Sequence, residues 1–490
     1  MERLRELLLE TGYTIDGVRD RLGTVAASAL AREELVPALR ATADGDRLAT
    51  LIRLWWLGVS VPASRVPPAV LESGLVTVDG DSVRADVHLQ PWETDGAANA
   101  WPESGSLRDQ RGPRERDHQH CYVVSDRKVR PGDPAIRADH VVGAGGASAN
   151  LAQLVTRRPV GSALDLGTGC GVQVLHLAGR AEEITATDVN PRALELARLS
   201  WRLSGVTGVT GEVGSMFEPV QDSRFDLIVS NPPFVISPGG DLTYRETGAD
   251  DGFCADLVRQ AAHHLNPGGQ AHFLANWLHV AGEDWRDRVG GWLGETGCDG
   301  WVVQRDVQDP AEYVELWLRD AAEQGTPGYT EHYDRWLSWF DAQRVEGVGF
   351  GWITLRSSGT LDPVVRVEEL TQQVELPVGG YVDDVMAAIA TAHRVKDLDA
   401  AMLRTVDGLL DERVGLPGAE DPMRITLGQT RGLRRSRDVG TVEAALAGVC
   451  DGQLALGPLL NVIAELVGDG EILNADALRP LIAEGFFTLG

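Results

Sequence analysis

Asn231-Pro232-Pro233-Phe234 closes the apolar run Phe225-Asp226-Leu227-Ile228-Val229-Ser230. That composition suits gripping a planar NH2 group beside an electrophile. The Asn231 side-chain oxygen and the Pro232 carbonyl are acceptors for the two N–H hydrogens. They favour a pyramidalised, partly positive nitrogen over the planar, delocalised one, so no strong base is required. Pro232 and Pro233 remove backbone donors and stiffen the turn, while the Phe234 ring can stack on a flat acceptor. The plainer reading of the same residues is a Pro-Pro strand terminator.

Upstream, Asp165-Leu166-Gly167-Thr168-Gly169-Cys170-Gly171 ends a strand-like stretch and opens a helical one at Val172. Glycines let a backbone approach a ligand closely, and a helix N-terminus offers unpaired N–H groups to a carboxylate or phosphate. A bland tight turn uses the same residues. A dinucleotide fingerprint fails, because its third glycine would have to stand at Val172. Asp188 closes the next strand, where a carboxylate can take both hydroxyls of a ribose, or cap the helix that starts at Pro191.

These residues need a parallel sheet to carry them, and the pattern supplies one. Ser162–Leu166, Ile184–Asp188, Val209–Val213, Asp226–Ser230 and Gln270–Ala275 read as strands alternating with helices, which implies an α/β class with helices on both faces. The region from about Asp139 to Leu355 resembles a class I S-adenosylmethionine-dependent methyltransferase. It is similar to the release-factor glutamine methyltransferases and the "small" rRNA and tRNA base methyltransferases, in which Asn-Pro-Pro-Tyr/Phe marks nitrogen methylation. The resemblance implies a Rossmann-like domain and S-adenosyl-L-methionine as cofactor. It also implies cofactor contacts from Asp165, Gly167, Gly169, Gly171, Asp188, Ser215 and Asn231, and catalysis by Asn231, Pro232, Pro233 and Phe234. Ser215 stands where the family commonly has an acid for the adenine amine. Asp139–Ser148, rich in glycine, falls where relatives place a cover over the cofactor; a linker is the plain alternative.

At 490 residues the chain is longer than one hydrophobic core usually serves, and 43% hydrophobic with 24% charged residues is an ordinary globular composition. We expect a winged-helix-like N-terminal domain over 1–91, linker and loops over 92–138, the methyltransferase domain over 139–360, and a helical or winged-helix-like domain over 364–490. Within the linker, Arg108, Arg111, Arg114 and Arg116 are interleaved with acids, which favours a solvated loop. Cys121, Cys170, Cys254, Cys298 and Cys450 show no metal-ligand spacing, so buried thiols and no metal are expected. No apolar run is long enough for a membrane span and no signal peptide opens the chain, so a cytoplasmic protein is expected.

Acceptor chemistry divides the remaining readings. A net charge of −27 opposes a polyanion and favours a protein glutamine amide. The alternative is an exocyclic base amine in rRNA or tRNA, for which Arg424, Arg431, Arg434, Arg435 and Arg437 would be the contact. A solvated turn is the bland reading of those arginines. A small-molecule acceptor, or a regulatory protein that keeps a cofactor pocket without turnover, also stays open. His263-His264 reads as the capped end of a helix.

Overall fold

Alternating apolar residues build the centre of the molecule. In β1 (Val160–Leu166) and β4 (Phe225–Ser230), Ala163, Leu227 and Val229 join one buried cluster, while Leu164, Leu166 and Ile228 join another. Period-two alternation with both faces apolar is what a strand covered by helices on each side requires. The computed structural model describes residues 1–94, 120–129, 136–239, 246–248, 250–321, 323–418, 421–467 and 474–489. Arg108, Arg111, Arg114 and Arg116 lie outside the described residues.

In chain order the central elements are α1 (Gly146–Leu154), β1, α2 (Val172–Leu177), β2 (Ala181–Asp188), α3 (Pro191–Ser204), β3 (Val209–Val213) and β4. There follow α4 (Gly252–His263), β5 (Leu265–Val280), α5 (Trp285–Gly294), β6 (Asp299–Gln308), α6 (Pro310–Asp320), α7 (Tyr329–Ala342), β7 (Val345–Arg356) and β8 (Val365–Glu369). They form one eight-stranded sheet in the order β8-β6-β7-β5-β4-β1-β2-β3. Only β7 runs antiparallel to its neighbours, β5 and β6. This is a Rossmann-like, mostly parallel α/β sheet. The chain leaves β1 toward β2 on one side and returns beside it as β4, so a crevice opens at the carboxyl ends of β1 and β4.

Local chemistry sets the ends of α3. Asn190 accepts a hydrogen bond from Arg192 N, Pro191 occupies the first turn, and Gly205 takes the left-handed conformation at φ 75° that closes the helix.

Before the sheet lie helices Glu2–Thr11, Ile15–Ala31, Val36–Ala41 and Arg47–Leu51, then a small antiparallel sheet. In it Val76–Asp79 and Ser82–Ala85 pair as a ribbon around Asp79-Gly80-Asp81, with Val61–Pro62 as a third strand. Part of the stretch expected as linker is strand. His88–Glu93 pairs antiparallel with His120–Ser125, and Cys121, Tyr122, Val123 and Val124 are buried. The far edge of this pair is satisfied by α3: Tyr122 N donates to Ser204 Oγ at 2.9 Å and Val124 N to Ser200 Oγ at 2.8 Å. Buried backbone donors must find partners, and here helix hydroxyls supply them.

After β8 the chain forms helix Val382–Arg394, the sheet Asp451–Ala455, Met402–Thr405 and Phe487–Leu489, and the sheet Leu409–Val414, Arg424–Gln429 and Ser436–Val439. Strand Asp451–Ala455 lies between helices Thr441–Val449 and Leu456–Val467 of this C-terminal part. The basic cluster is not an open patch. Arg435 is buried and ion-paired with Glu368 on β8, Arg437 reaches Glu484 at 2.7 Å, and Arg366 lies 3.0 Å from Glu368 and 3.2 Å from Glu484. Arg435 through Glu368, and Glu484 through Arg366, therefore join the C-terminal part to the sheet edge, while the Arg437–Glu484 pair lies within the C-terminal part. Arg424, Arg431 and Arg437 remain exposed. Among the described residues no helix is long and apolar enough to cross a membrane.

Candidate active site

The glycine turn is welded to β2: Gly167 N and Thr168 N both donate to Thr187 O at 2.9 Å. Gly167, Gly169 and Gly171 have φ of 71°, 54° and 81°, a region that residues with a Cβ rarely adopt. Their surroundings differ. A Cβ on Gly167 or Gly169 would meet nothing within 4 Å, whereas one on Gly171 would lie 2.5 Å from Trp201 Nε1. Gly171 is therefore needed for close packing of the turn on α3, where Trp201 Nε1 donates to its carbonyl at 3.0 Å. Gly167 and Gly169 leave an open surface, the cradle a ligand backbone-binding turn requires.

Asp188 ends β2 facing that turn. Its Oδ2 accepts from Gly169 N at 2.9 Å and its Oδ1 from Asn190 N at 2.8 Å, so each oxygen is aimed and keeps a second lone pair for a ligand hydroxyl. Burial raises its pKa, against those two backbone donors. Asp165, behind the turn, is buried, and burial together with the Asp188 charge pushes its pKa up to about 7 although Thr168 Oγ1 donates to it at 2.6 Å.

Ser230 Oγ donates to Leu166 O at 2.8 Å, which ties the end of β4 to the end of β1 and delivers Asn231 beside the glycine turn. Asn231 Oδ1 is buried and has no hydrogen-bond partner among the described residues. Pro232 is buried, Pro233 exposed and Phe234 half-buried, its ring edge-on to Trp317 at 6.2 Å and 71°. Ser215 is exposed just past β3; Gly214 N donates to Asp188 O at 3.1 Å, so this corner lies beside the Asp188 carbonyl. The nearby acid is Glu218, whose carboxylate accepts Ser215 N–H at 3.4 Å.

The segment at Asp139–Ser148 is fastened at its start. Val141 N donates to Asp126 Oδ2 at 2.9 Å, Asp126 N to Val141 O at 3.1 Å, and Asn190 Nδ2 to Asp139 O at 3.0 Å. Its last residues, from Gly146, begin α1. His264 stacks on Phe217 at 4.5 Å with its Nδ1 2.9 Å from Ser223 O, a structural role at the end of α4. One residue near the site went unsingled in the sequence: Tyr313 on α6, whose hydroxyl meets the backbone just beyond Phe234. Nothing local marks it, since its partner is 77 residues away. Among the described residues no His, Cys, Asp and Glu cluster could hold a metal.

Residues 143–282 match the family model described as methyltransferase small domain, and residues 10–86 match a domain of unknown function. The chain is 35% identical over 159 residues to a release factor glutamine methyltransferase of Geobacter sulfurreducens, covering 29% of this chain and 52% of that protein. It is 38% identical over 118 residues to a ribosomal RNA small subunit methyltransferase C of Actinobacillus pleuropneumoniae, covering 24% of this chain and 32% of the relative. The chain thus spans about half or less of the length of these relatives. Among solved structures it resembles a methyltransferase from Pyrococcus furiosus at TM-score 0.26 and 18% identity, covering 43% of this chain and 80% of that one.

Proposed function

We propose, on the premise that residues 143–282 are a methyltransferase small domain, that the protein is an S-adenosyl-L-methionine-dependent N-methyltransferase acting on a planar NH2 group. The observation that carries this is Asn231 Oδ1, a buried acceptor without a partner among the described residues, delivered by β4 beside an open glycine cradle. A buried acceptor left unpaired is costly, and this one stands beside the open glycine cradle, where a ligand N–H can complete its bonding.

The residues present fit the cofactor. Gly167 and Gly169 offer an unobstructed turn, Gly171 packs the turn down, Asp188 holds both oxygens ready for ribose hydroxyls, and Ser215 lies at the neighbouring strand end for the adenine side. When bound, S-adenosyl-L-methionine supplies an electrophilic methyl group on a sulfonium.

The protein's own contribution is to present the nitrogen. Asn231 Oδ1 and the Pro232 carbonyl accept the two N–H hydrogens, which lets the lone pair leave conjugation and stabilises the positive charge that develops on nitrogen. Pro233 keeps the backbone from offering a competing donor, and Phe234 holds the flat acceptor by its face. Proton loss from the methylated nitrogen can go to water, so no buried base is assigned.

A protein glutamine amide is the favoured acceptor. A net charge of −27 repels polyanions at long range, and of the five arginines that would serve an RNA, Arg435 is buried against Glu368 and Arg437 is paired with Glu484. Labelled cofactor and a cell extract, treated separately with protease and nuclease, test this. Label lost to protease is expected; label lost to nuclease shifts the acceptor to a base amine in rRNA or tRNA, and label on neither polymer ends both readings.

A further inference from the structure

Between β6 and β7 the chain inserts α6 and α7, and this hairpin leans on the segment that follows Asn231-Pro232-Pro233-Phe234. Tyr313 on α6 is fully buried among Trp336, Phe340 and Val348. Its hydroxyl accepts the backbone N–H of Ile236 at 2.9 Å and Asn276 Nδ2, on β5, at 3.1 Å. Four residues on, and so on the same helical face, half-buried Trp317 meets the Phe234 ring edge-on. One face of α6 therefore holds the catalytic turn twice, by a hydrogen bond to its backbone and by a ring against its aromatic side chain.

Resting on the proposed methyl transfer, we propose that Tyr313 is a positioning residue that pins Ile236 so that the Asn231 and Pro232 oxygens keep their aim, and that Trp317 is the wall of the acceptor slot beside Phe234. The Ile236 amide is buried, with Val235 and Ile236 each 1% exposed, so its N–H needs a partner and the tyrosine hydroxyl supplies it. Both proline nitrogens lack donors, so the turn is fixed beyond them, where this bond acts together with the parallel pairing of Val235–Ile236 to Glu246–Gly248. A displacement of about 1 Å at such a turn is enough to cost on the order of a hundredfold in rate. The proposed cofactor contacts other than Asn231 come from the ends of β1, β2 and β3, on the far side of β4 from β6 and β7, so the hairpin belongs to the acceptor side.

The full-length chain tests this with Tyr313→Phe and Trp317→Leu. Three quantities are read: affinity for S-adenosylhomocysteine, single-turnover transfer of label into extract polymer, and hydrogen exchange of the peptide spanning 231–236. For Tyr313→Phe, exchange at Ile236 should quicken about tenfold or more and transfer fall by about tenfold to a hundredfold, with affinity within about twofold. Unchanged exchange and transfer overturn the pinning role, and an equal loss of affinity makes Tyr313 a general support of the fold. If the parent transfers no label, the methyltransferase reading fails, yet the exchange measurement still decides whether Tyr313 holds the turn. Trp317→Leu leaves the bonds of Tyr313 to Ile236 and Asn276 in place. It should raise the extract concentration needed for half-maximal transfer about fivefold or more while retaining the maximal rate, and an unchanged requirement removes Trp317 from the acceptor slot.

Discussion

Replacing Asn231 by alanine should separate stability from activity. Asn231 Oδ1 is buried without a partner among the described residues, and an unmet acceptor of that kind costs the folded state about 1–3 kcal/mol. Asn231→Ala abolishes that cost and forfeits only the packing of a small, half-buried side chain. The unfolding free energy should therefore change by less than about 1 kcal/mol, or rise. Catalysis should respond in the opposite way. Loss of one preorganised hydrogen-bonding group at the developing charge costs about 10²–10³ in rate, or about 2.7–4 kcal/mol of barrier. Chemical denaturation, calorimetry with S-adenosylhomocysteine and single-turnover label transfer measure the three quantities on the same preparation. The reasoning is refuted if the variant transfers label like the parent. It is equally refuted if stability falls by more than about 2 kcal/mol, since a satisfied structural asparagine would then be at work.

Two further outcomes follow from the carboxylates. Asp188→Ala should weaken S-adenosylhomocysteine binding by about 1.5–3 kcal/mol, roughly ten- to a hundred-and-fiftyfold, and an unchanged dissociation constant would remove the ribose assignment. Asp165 has its pKa raised from 3.8 to about 7 by burial, so the native state holds this proton more tightly than the unfolded chain. Its contribution is then fully present below pH 3.8 and is lost as pH rises through about 7, amounting to something on the order of 4 kcal/mol. In Asp165→Asn this dependence disappears, so unfolding free energy of variant minus parent should climb between about pH 4 and 8 and then level off; a difference that stays flat over that range contradicts a buried, protonated Asp165.

What could be read from the chain and what could not divide along sequence distance. The turn at Gly167–Gly171, Asp188 and the Asn231–Phe234 end were legible because each is a contiguous motif whose conformation is set by its own residues. The division of labour among the glycines was not, since Gly171 is confined by Trp201 on a later helix. Arginines at 435 and 437 read as a basic cluster because composition shows charge without showing neighbours; Glu368 and Glu484, far off in the chain, neutralise them. Strand His120–Ser125 was hidden by the polar residues before it and by a partner strand more than a turn's length away. Tyr313 had the weakest signal of all, an aromatic on an amphipathic helix, which usually means only a packed core. Its difference lies in the oxygen, and the oxygen's partner is settled by the fold.

Ser200 and Ser204 on α3 give the chain a boundary that kinship does not draw. The match to the methyltransferase small domain begins at 143, after the strands that these hydroxyls complete, and stops at 282, before β6 and β7. A fragment cut to that stretch would strip α3 of its covering ribbon and leave β5 without the long antiparallel partner it has in β7. The bare edge and the exposed apolar face of α3 would invite self-association. Ancestry and autonomy thus run over different spans here, and a minimal soluble piece should start no later than His88 and reach at least the end of β8.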